Sequence, residues 1–285
     1  MAQSSIQHDF IVCDAGSTKC QWAIVRSGQI VHTIESVGVN PALLSVDEIK
    51  ALLPADFLRL SPRVPIYYYG AGCIGAEVNA RVVHALDSVC QPSSVCVESD
   101  MLGAARATLA HDKGIVCILG TGANSCAYNG SQIVESIRPL GYILGDEGSG
   151  ADIGKALVAD ALKGFLSADI TNKFFAFASV GYAQIVENIY RHKGANAYLA
   201  RFARFALDNM SDPQIADIVS ARFRLFLQRN VLRYSSEYLS AEVNFVGGVA
   251  NAFKDILAGE CASVGLKMGR VCCRPLEGLV AYHCA

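Results

Sequence analysis

The sequence predicts an α/β protein made of two similar halves, and three observations carry that prediction. A strand–turn–strand unit with a polar, glycine-containing turn occurs near residues 10–35 and again near 114–134. Strand and amphipathic-helix periodicities alternate after the first unit, whereas helices dominate after the second. Hydrophobic residues make up 52% of the 285-residue chain, enough to bury the cores of two medium domains.

Taken in order, residues 10–13 and 21–25 are β-rich runs on either side of Asp14-Ala15-Gly16-Ser17-Thr18-Lys19, and 30–35 extend the meander past the Ser27-Gly28 turn. A short helix is expected at 47–53, then a strand from Val64 to Tyr69 ending at Gly70-Ala71-Gly72. Val78, Val82, Val83 and Leu86 share one face of a helix over 76–90. A strand from Val95 to Glu98 leads into a small-residue helix from Met101 to Ala110. The second meander has a buried strand from Gly114 to Leu119, a Gly120-Thr121-Gly122 turn, and a return strand from Ser125 to Tyr128. Long helical segments follow at 150–165, 196–209 and 213–240, and Val243 to Val246 is the last clear strand, stopped by Gly247-Gly248. The expected domains are 1–112 and 113–285, with the boundary at His111-Asp112-Lys113-Gly114 and a cleft between the halves.

Composition narrows the function classes. A formal charge of −2 and the lack of any long Lys/Arg run give no reason to expect nucleic acid or an anionic membrane as partner. The opening MAQSSIQHDF has no basic segment followed by an apolar one, and no apolar stretch reaches the length of a membrane span. Eleven cysteines are scattered through apolar runs, without a CxxC pair, and the adjacent Cys272-Cys273 is a poor spacing for a metal or cluster. Reduced thiols in a cytoplasmic protein are the expectation.

Three turns carry the chemistry. In Asp14-Ala15-Gly16-Ser17-Thr18, Gly16 allows a tight turn, Ser17 and Thr18 offer donors to a phosphate, and Asp14 is placed to hold Mg²⁺ through water. An ordinary hairpin turn would look the same. Gly120-Thr121-Gly122-Ala123-Asn124-Ser125 repeats the device in the second meander, so that the pair would close on a polyphosphate from two sides. Gly247-Gly248, at a strand end before a helix, could admit a flat group such as adenine or ribose, although taken alone it is better explained by a plain strand–helix turn.

Asp-x-Gly-x-Thr, then Gly-Thr-Gly-x-Asn, then Gly-Gly resemble the two phosphate motifs and the adenosine motif of the sugar-kinase/actin/Hsp70 superfamily. The run Gly145-Asp146-Glu147-Gly148-Ser149 resembles its N-acetylglucosamine kinase branch, shared with the activating ATPases of benzoyl-CoA reductase and 2-hydroxyacyl-CoA dehydratase. The resemblance spans roughly residues 10–280 and implies two ribonuclease H-like, actin-like ATPase domains. It implies ATP and Mg²⁺ as cofactors and an amino sugar, first of all N-acetylglucosamine phosphorylated at the 6-position, as substrate. Asp100 matches the general base, although on residues alone an Asp opening a helix is equally an N-cap. Asp14 would hold the metal, and Gly16, Ser17, Thr18, Lys19, Gly120, Thr121, Gly122, Gly247 and Gly248 would line the nucleotide. Asn40, Asn124, Asp146 and Ser149 would meet the sugar. Lys19 either neutralises phosphate or is simply solvated. Members are commonly dimers, so a homodimer is the expected assembly, although no interface is legible.

The sequence departs from the family at Arg138-Pro139-Leu140-Gly141, where relatives often have Gly-Gly-Trp-Gly, and at its end, where relatives often add a helix that packs back on the first domain. Two other functions are compatible with the motifs. One is an ATPase activator carrying a [4Fe–4S] cluster, and the other is a sugar or nucleotide sensor without turnover.

Overall fold

The computed structural model describes residues 9–285; residues 1–8 of the opening segment, on which the expectation of no leader rests, lie outside them. Five strands, β1 (Phe10–Ala15), β2 (Lys19–Arg26), β3 (Gln29–Val37), β4 (Ile66–Gly70) and β5 (Val95–Ser99), form one sheet in the order β3-β2-β1-β4-β5. Five more, β6 (Gly114–Leu119), β7 (Ala123–Tyr128), β8 (Ile133–Ser136), β9 (Val243–Val246) and β10 (Met268–Cys272), form a second in the order β8-β7-β6-β9-β10. In each, three antiparallel strands continue into two parallel ones, so the duplication read from the sequence is present. Parallel neighbours end together, and so the C-terminal ends of β1, β4 and β5, and separately of β6 and β9, gather their loops on one edge of each sheet.

The chain divides into two compact units. The first takes the chain up to Asp112 together with Asn129–Gln132 and Arg274–Ala285; the second takes Lys113–Tyr128 and Ile133–Cys273. In the first, alternation along the strands sends Ile11, Cys13, Trp22, Ile24 and Tyr68 to one face, where the helix Ala76–Cys90 contributes Val82, Ala85, Leu86 and Val89. Phe10, Val12, Val25 and Tyr69 point to the opposite face and pack on Leu276, Leu279 and Val280.

Those last three residues belong to a helix, Leu276–Cys284, although the sequence leads one to expect no terminal helix packing on the first domain. Pro275 starts it, and its contacts put the end of the chain in the first unit instead of the second. His283 Nε2 and the Tyr69 hydroxyl lie 2.8 Å apart, Arg106 Nη1 donates to the same hydroxyl at 2.9 Å, and the His283 ring stacks on Tyr67 at 3.6 Å. Burial, aided by the Arg106 charge, lowers the His283 pKa to about 4, so the ring is neutral at ordinary pH. Gly278 is what lets this helix approach, because a Cβ there would fall on the Ala107 backbone. Gly278→Ala is therefore expected to destabilise the protein by about 1–3 kcal/mol, read as a lower urea midpoint.

The second unit is built around Phe174, Phe202 and Phe205, with Phe174 stacked on Phe202 at 5.2 Å and edge-on to Phe205 at 5.8 Å. The expected helix over 213–240 ends at Arg229 and breaks into a 3₁₀ turn at Val231–Arg233 and a short helix at Ser236–Leu239. The segment 196–209 is two helices meeting at Arg201. Helices Ala168–Ala178 and Tyr182–Tyr190, and strands β8 and β10, were not read from the sequence.

Candidate active site

In the first unit the chemistry gathers at the ends of β1 and β5. Asp14 pairs with Gln21 across β1/β2 and with Tyr69 across β1/β4, and Tyr69 pairs with Glu98 across β4/β5, so Asp14 is level with Glu98 near the end of β5. Asp100 is the first residue of the helix Asp100–Leu109, one step beyond β5. The cap of that helix is Ser99, whose Oγ accepts from the Leu102 amide at 3.2 Å, so the N-cap explanation of Asp100 does not hold. Asp100 Oδ1 accepts the neighbouring Met101 amide, at 2.8 Å.

Burial is the main reason that both acids hold protons unusually well. Asp14 is raised from 3.8 to about 7 by burial and then by the nearby Asp100 charge, with Lys19 opposing. Asp100 is raised to about 6 by burial, opposed by backbone hydrogen bonds from Met101 and its own amide. Neither has an ion-pair partner among the described residues. Two neighbouring carboxylates without a cation suit a divalent ion of the Mg²⁺ type, which is usually held by one or two carboxylates plus waters and phosphate oxygens. Lys19 is not that cation, because its Nζ lies 3.1 Å from Glu35 Oε1, which also accepts from Gln21 at 2.7 Å. The solvated reading of Lys19 is the one the geometry favours.

These shifts set a pH dependence of stability. Both acids titrate higher folded than unfolded, so their contribution is fully present below about pH 4 and is lost as the pH rises through about 6 to 7. Asp14→Asn removes the larger cost. In metal-free buffer it is expected to be more stable than the parent by about 2–4 kcal/mol at pH 8, and indistinguishable at pH 4. Urea titrations at the two pH values measure this.

The turn after Asp14 is closed by a hydrogen bond from the Gly16 amide to the Lys19 carbonyl at 2.9 Å. The Gly38 amide donates to the Thr18 carbonyl at 3.0 Å, and a Cβ on Gly38 would strike Ser17. Gly38 thus seats the Ser17-Thr18 turn, a role that the sequence reading missed. Asn40 follows directly and is bound into the same cluster: its Oδ1 accepts from the Ala42 amide at 3.2 Å, and a Cβ on Gly72 would strike that side chain. Asp14, Ser17, Thr18, Asn40, Asp100 and the Gly70-Ala71-Gly72 loop are therefore brought together.

In the second unit the two remaining glycine turns meet. Gly247 has φ 119°, and a Cβ there would strike the Leu119 carbonyl. Gly120 and Gly248, by contrast, face open space. Their lack of side chains is not required by packing, which leaves their backbone accessible to a ligand. The helix Gly150–Lys163 docks on the same turn: the Gly150 and Ala151 amides donate to the Gly120 and Thr121 carbonyls at 2.8 and 3.1 Å.

That helix corrects one expectation. Ser149 is fully buried and its Oγ accepts from the Asp152 amide at 3.1 Å, so its hydroxyl caps the helix. Asp152, not singled out in the sequence, accepts from the Gly148 amide at 3.0 Å and lies 3.4 Å from Lys155 and 3.2 Å from Arg222. The signal was the spacing Ser149-x-x-Asp152, an acidic variant of a capping box. Asp146 sits at φ 57°, in the left-handed region, with its Oδ2 3.0 Å from where a Gly122 Cβ would be. Burial raises its pKa, opposed by a hydrogen bond from the Ala123 backbone. A pocket of about 100 Å³ lies here, lined by Asn124 and Asp146 with Arg138, Leu140, Glu147 and Arg229.

Among solved structures, a proposed N-acetylglucosamine kinase of Porphyromonas gingivalis is 36% identical to this chain, covers 96% of it and 98% of itself, and superposes with a TM-score of 0.92. The chain belongs to the N-acetylglucosamine kinase-like family. Its two α/β units are the actin-like ATPase domains of that family. A proposed N-acetylglucosamine kinase of Chromobacterium violaceum shares the fold at 19% identity, covering 98% of this chain and 99% of its own, with a TM-score of 0.73. A ROK-family glucokinase of Streptomyces griseus, in complex with glucose and AMPPNP, does so at 18%, covering 96% and 98%, with a TM-score of 0.60. No protein-family profile and no curated protein matches the chain. Among the described residues of this family member, no helix is long and apolar enough to cross a membrane.

Proposed function

We propose that the protein is an ATP-dependent kinase that phosphorylates a hydroxyl of an amino sugar, with N-acetylglucosamine, at its 6-position, as the first substrate. One observation carries the reading: Asp14 and Asp100 sit as neighbouring carboxylates at the ends of β1 and β5, without an ion-pair partner among the described residues and with pKa values raised to about 7 and about 6. A structural acid would be paired or solvated. A base for a sugar hydroxyl needs a pKa near the working pH and an oxygen not already committed, which is what Asp100 offers. The 36% identity to the Porphyromonas gingivalis protein supports the same reading.

In this mechanism Asp100 accepts the proton of the attacking hydroxyl, and Asp14 orients the metal. Asp14 would hold Mg²⁺, which would supply positive charge to offset the negative charge that develops in transfer. In the first unit the Ser17-Thr18 turn would offer donors to phosphate oxygens; in the second, the Gly120-Thr121-Gly122 turn would do the same and Gly248 leaves room for a nucleoside. Asn40, Asn124 and Asp146 fix the sugar hydroxyls. Most of the acceleration then comes from positioning and electrostatics. The test is ADP release from MgATP across a panel of amino sugars. Strong stimulation by N-acetylglucosamine is expected, and the absence of stimulation by any sugar would overturn the reading.

A further inference from the structure

The first sheet ends in a long, exposed strand. β3 has nine residues, against five, four and five for the other end strands β5, β8 and β10. All of β3 except Ser36 is exposed, including the aliphatic side chains of Ile30, Val31, Ile34 and Val37, the last of them 62% exposed. Proteins usually blunt such an edge with a short strand, a proline or several charges, because a long apolar edge is a template for another strand. β3 has no proline. Its one carboxylate, Glu35, is engaged by its own sheet, through Lys19 at 3.1 Å and Gln21 at 2.7 Å.

The direction of the backbone groups follows from one bond. The Gly38 amide donates to the Thr18 carbonyl, one step beyond the Lys19–Val37 pair. Antiparallel ladders alternate, so Ser36, Ile34 and His32 turn their main-chain groups to β2, while Val37, Glu35 and Thr33 turn theirs outward. No strand lies on that side of β3 among the described residues. A second β3, antiparallel to the first about a two-fold axis perpendicular to the sheet, brings an outward row of the same kind. With the axis at Ile34, that residue meets its own copy, Val31 meets Val37, His32 meets Ser36 and Thr33 meets Glu35. Aliphatic side chains then face aliphatic ones, and no two acids face each other. An axis one residue away in either direction loses this, because Glu35 comes to face Val31 or a second Glu35. Seven residues from each copy make a ladder about 23 Å long, burying on the order of 1,000 Å² in all, the lower end of what a specific dimer needs.

We infer that the protein self-associates through β3, joining two five-stranded sheets edge to edge across a two-fold axis. This supplies a surface for the homodimer that the family resemblance leads one to expect, and it does not depend on the kinase reading. The contact uses the same strand of both copies, so it closes at a dimer and cannot propagate through β3. Its modest area predicts reversible, micromolar association instead of an obligate dimer.

Sedimentation velocity of the full chain between about 1 and 200 µM is expected to show monomer giving way to dimer. Val37→Lys changes the most exposed of the four aliphatic positions. It is expected to weaken the dimer about tenfold or more while the urea midpoint stays where it was. Ile34→Cys tests the register, because a non-hydrogen-bonded pair on the axis brings its Cα atoms to about 4.5 Å, within disulfide range. With oxidised glutathione as oxidant, that variant is expected to form a covalent dimer. The parent, with its own eleven cysteines, and Thr33→Cys, on the other face of the strand, are expected not to. A protein that stays monomeric over the whole range would overturn the inference and leave the edge to a strand from a different protein. A dimer unaffected by Val37→Lys, or one that Ile34→Cys does not cross-link, would also overturn it by placing the contact elsewhere.

Discussion

Asp100→Asn is expected to lower kcat for sugar phosphorylation by about 10²–10⁴-fold while nucleotide binding is retained. The substitution keeps the size of the side chain and the oxygen that accepts the Met101 amide at 2.8 Å, and the helix retains its Ser99 cap. What is lost is the ability to take a proton. Because burial holds the Asp100 pKa at about 6, the wild-type kcat/KM should fall on the acid side with a midpoint near that value, and the limb should be absent from the residual activity of the variant. Steady-state kinetics between pH 5 and 8, with a direct nucleotide titration alongside, measures both. A variant with unimpaired kcat would remove Asp100 from the chemistry.

The second large effect is expected at the Gly-Gly turn, where the two glycines should behave differently. At Gly247 the backbone has φ 119°, and a side chain would run into the Leu119 carbonyl. Gly247→Ala is expected to destabilise the protein by about 2–4 kcal/mol and to weaken nucleotide binding with it, since the turn after β6 would have to move. Gly248 has open space where its Cβ would be. Gly248→Ala should change stability by no more than about 0.5 kcal/mol. Its nucleotide affinity should still fall several-fold, because the methyl group occupies ligand space. Urea unfolding paired with titration of a non-hydrolysable ATP analogue distinguishes the two. Loss of stability at both positions would mean that the turn is purely structural.

The contrast also shows what was legible in the sequence. Strands that alternate apolar residues or are buried on both faces, such as β1, β6 and β9, announced themselves, and the repeated glycine turn revealed the duplication. β8 and β10 are short and only partly buried, and their pairing depends on neighbours distant in sequence. The terminal helix was hidden for a related reason: its partner surface, Phe10, Val12 and Tyr69, lies at the other end of the chain. Among candidate site residues, motif residues were visible, but how each spends its hydrogen bonds was not. Ser149 is expected from the motif to meet the sugar and Lys19 either to meet phosphate or to be solvated, and the structure shows the Ser149 hydroxyl capping a helix and Lys19 pairing with Glu35. Gly38 and Asp152 are supports, and support depends on packing that spacing alone does not display.

The most direct test of the central claim is stoichiometry. MgATP and N-acetylglucosamine would be incubated with the protein, and ADP and phosphorylated sugar counted in the same sample. One phosphosugar per ADP is the predicted result. ADP formed without any phosphosugar would contradict it and identify an ATPase that spends the nucleotide on something other than a sugar.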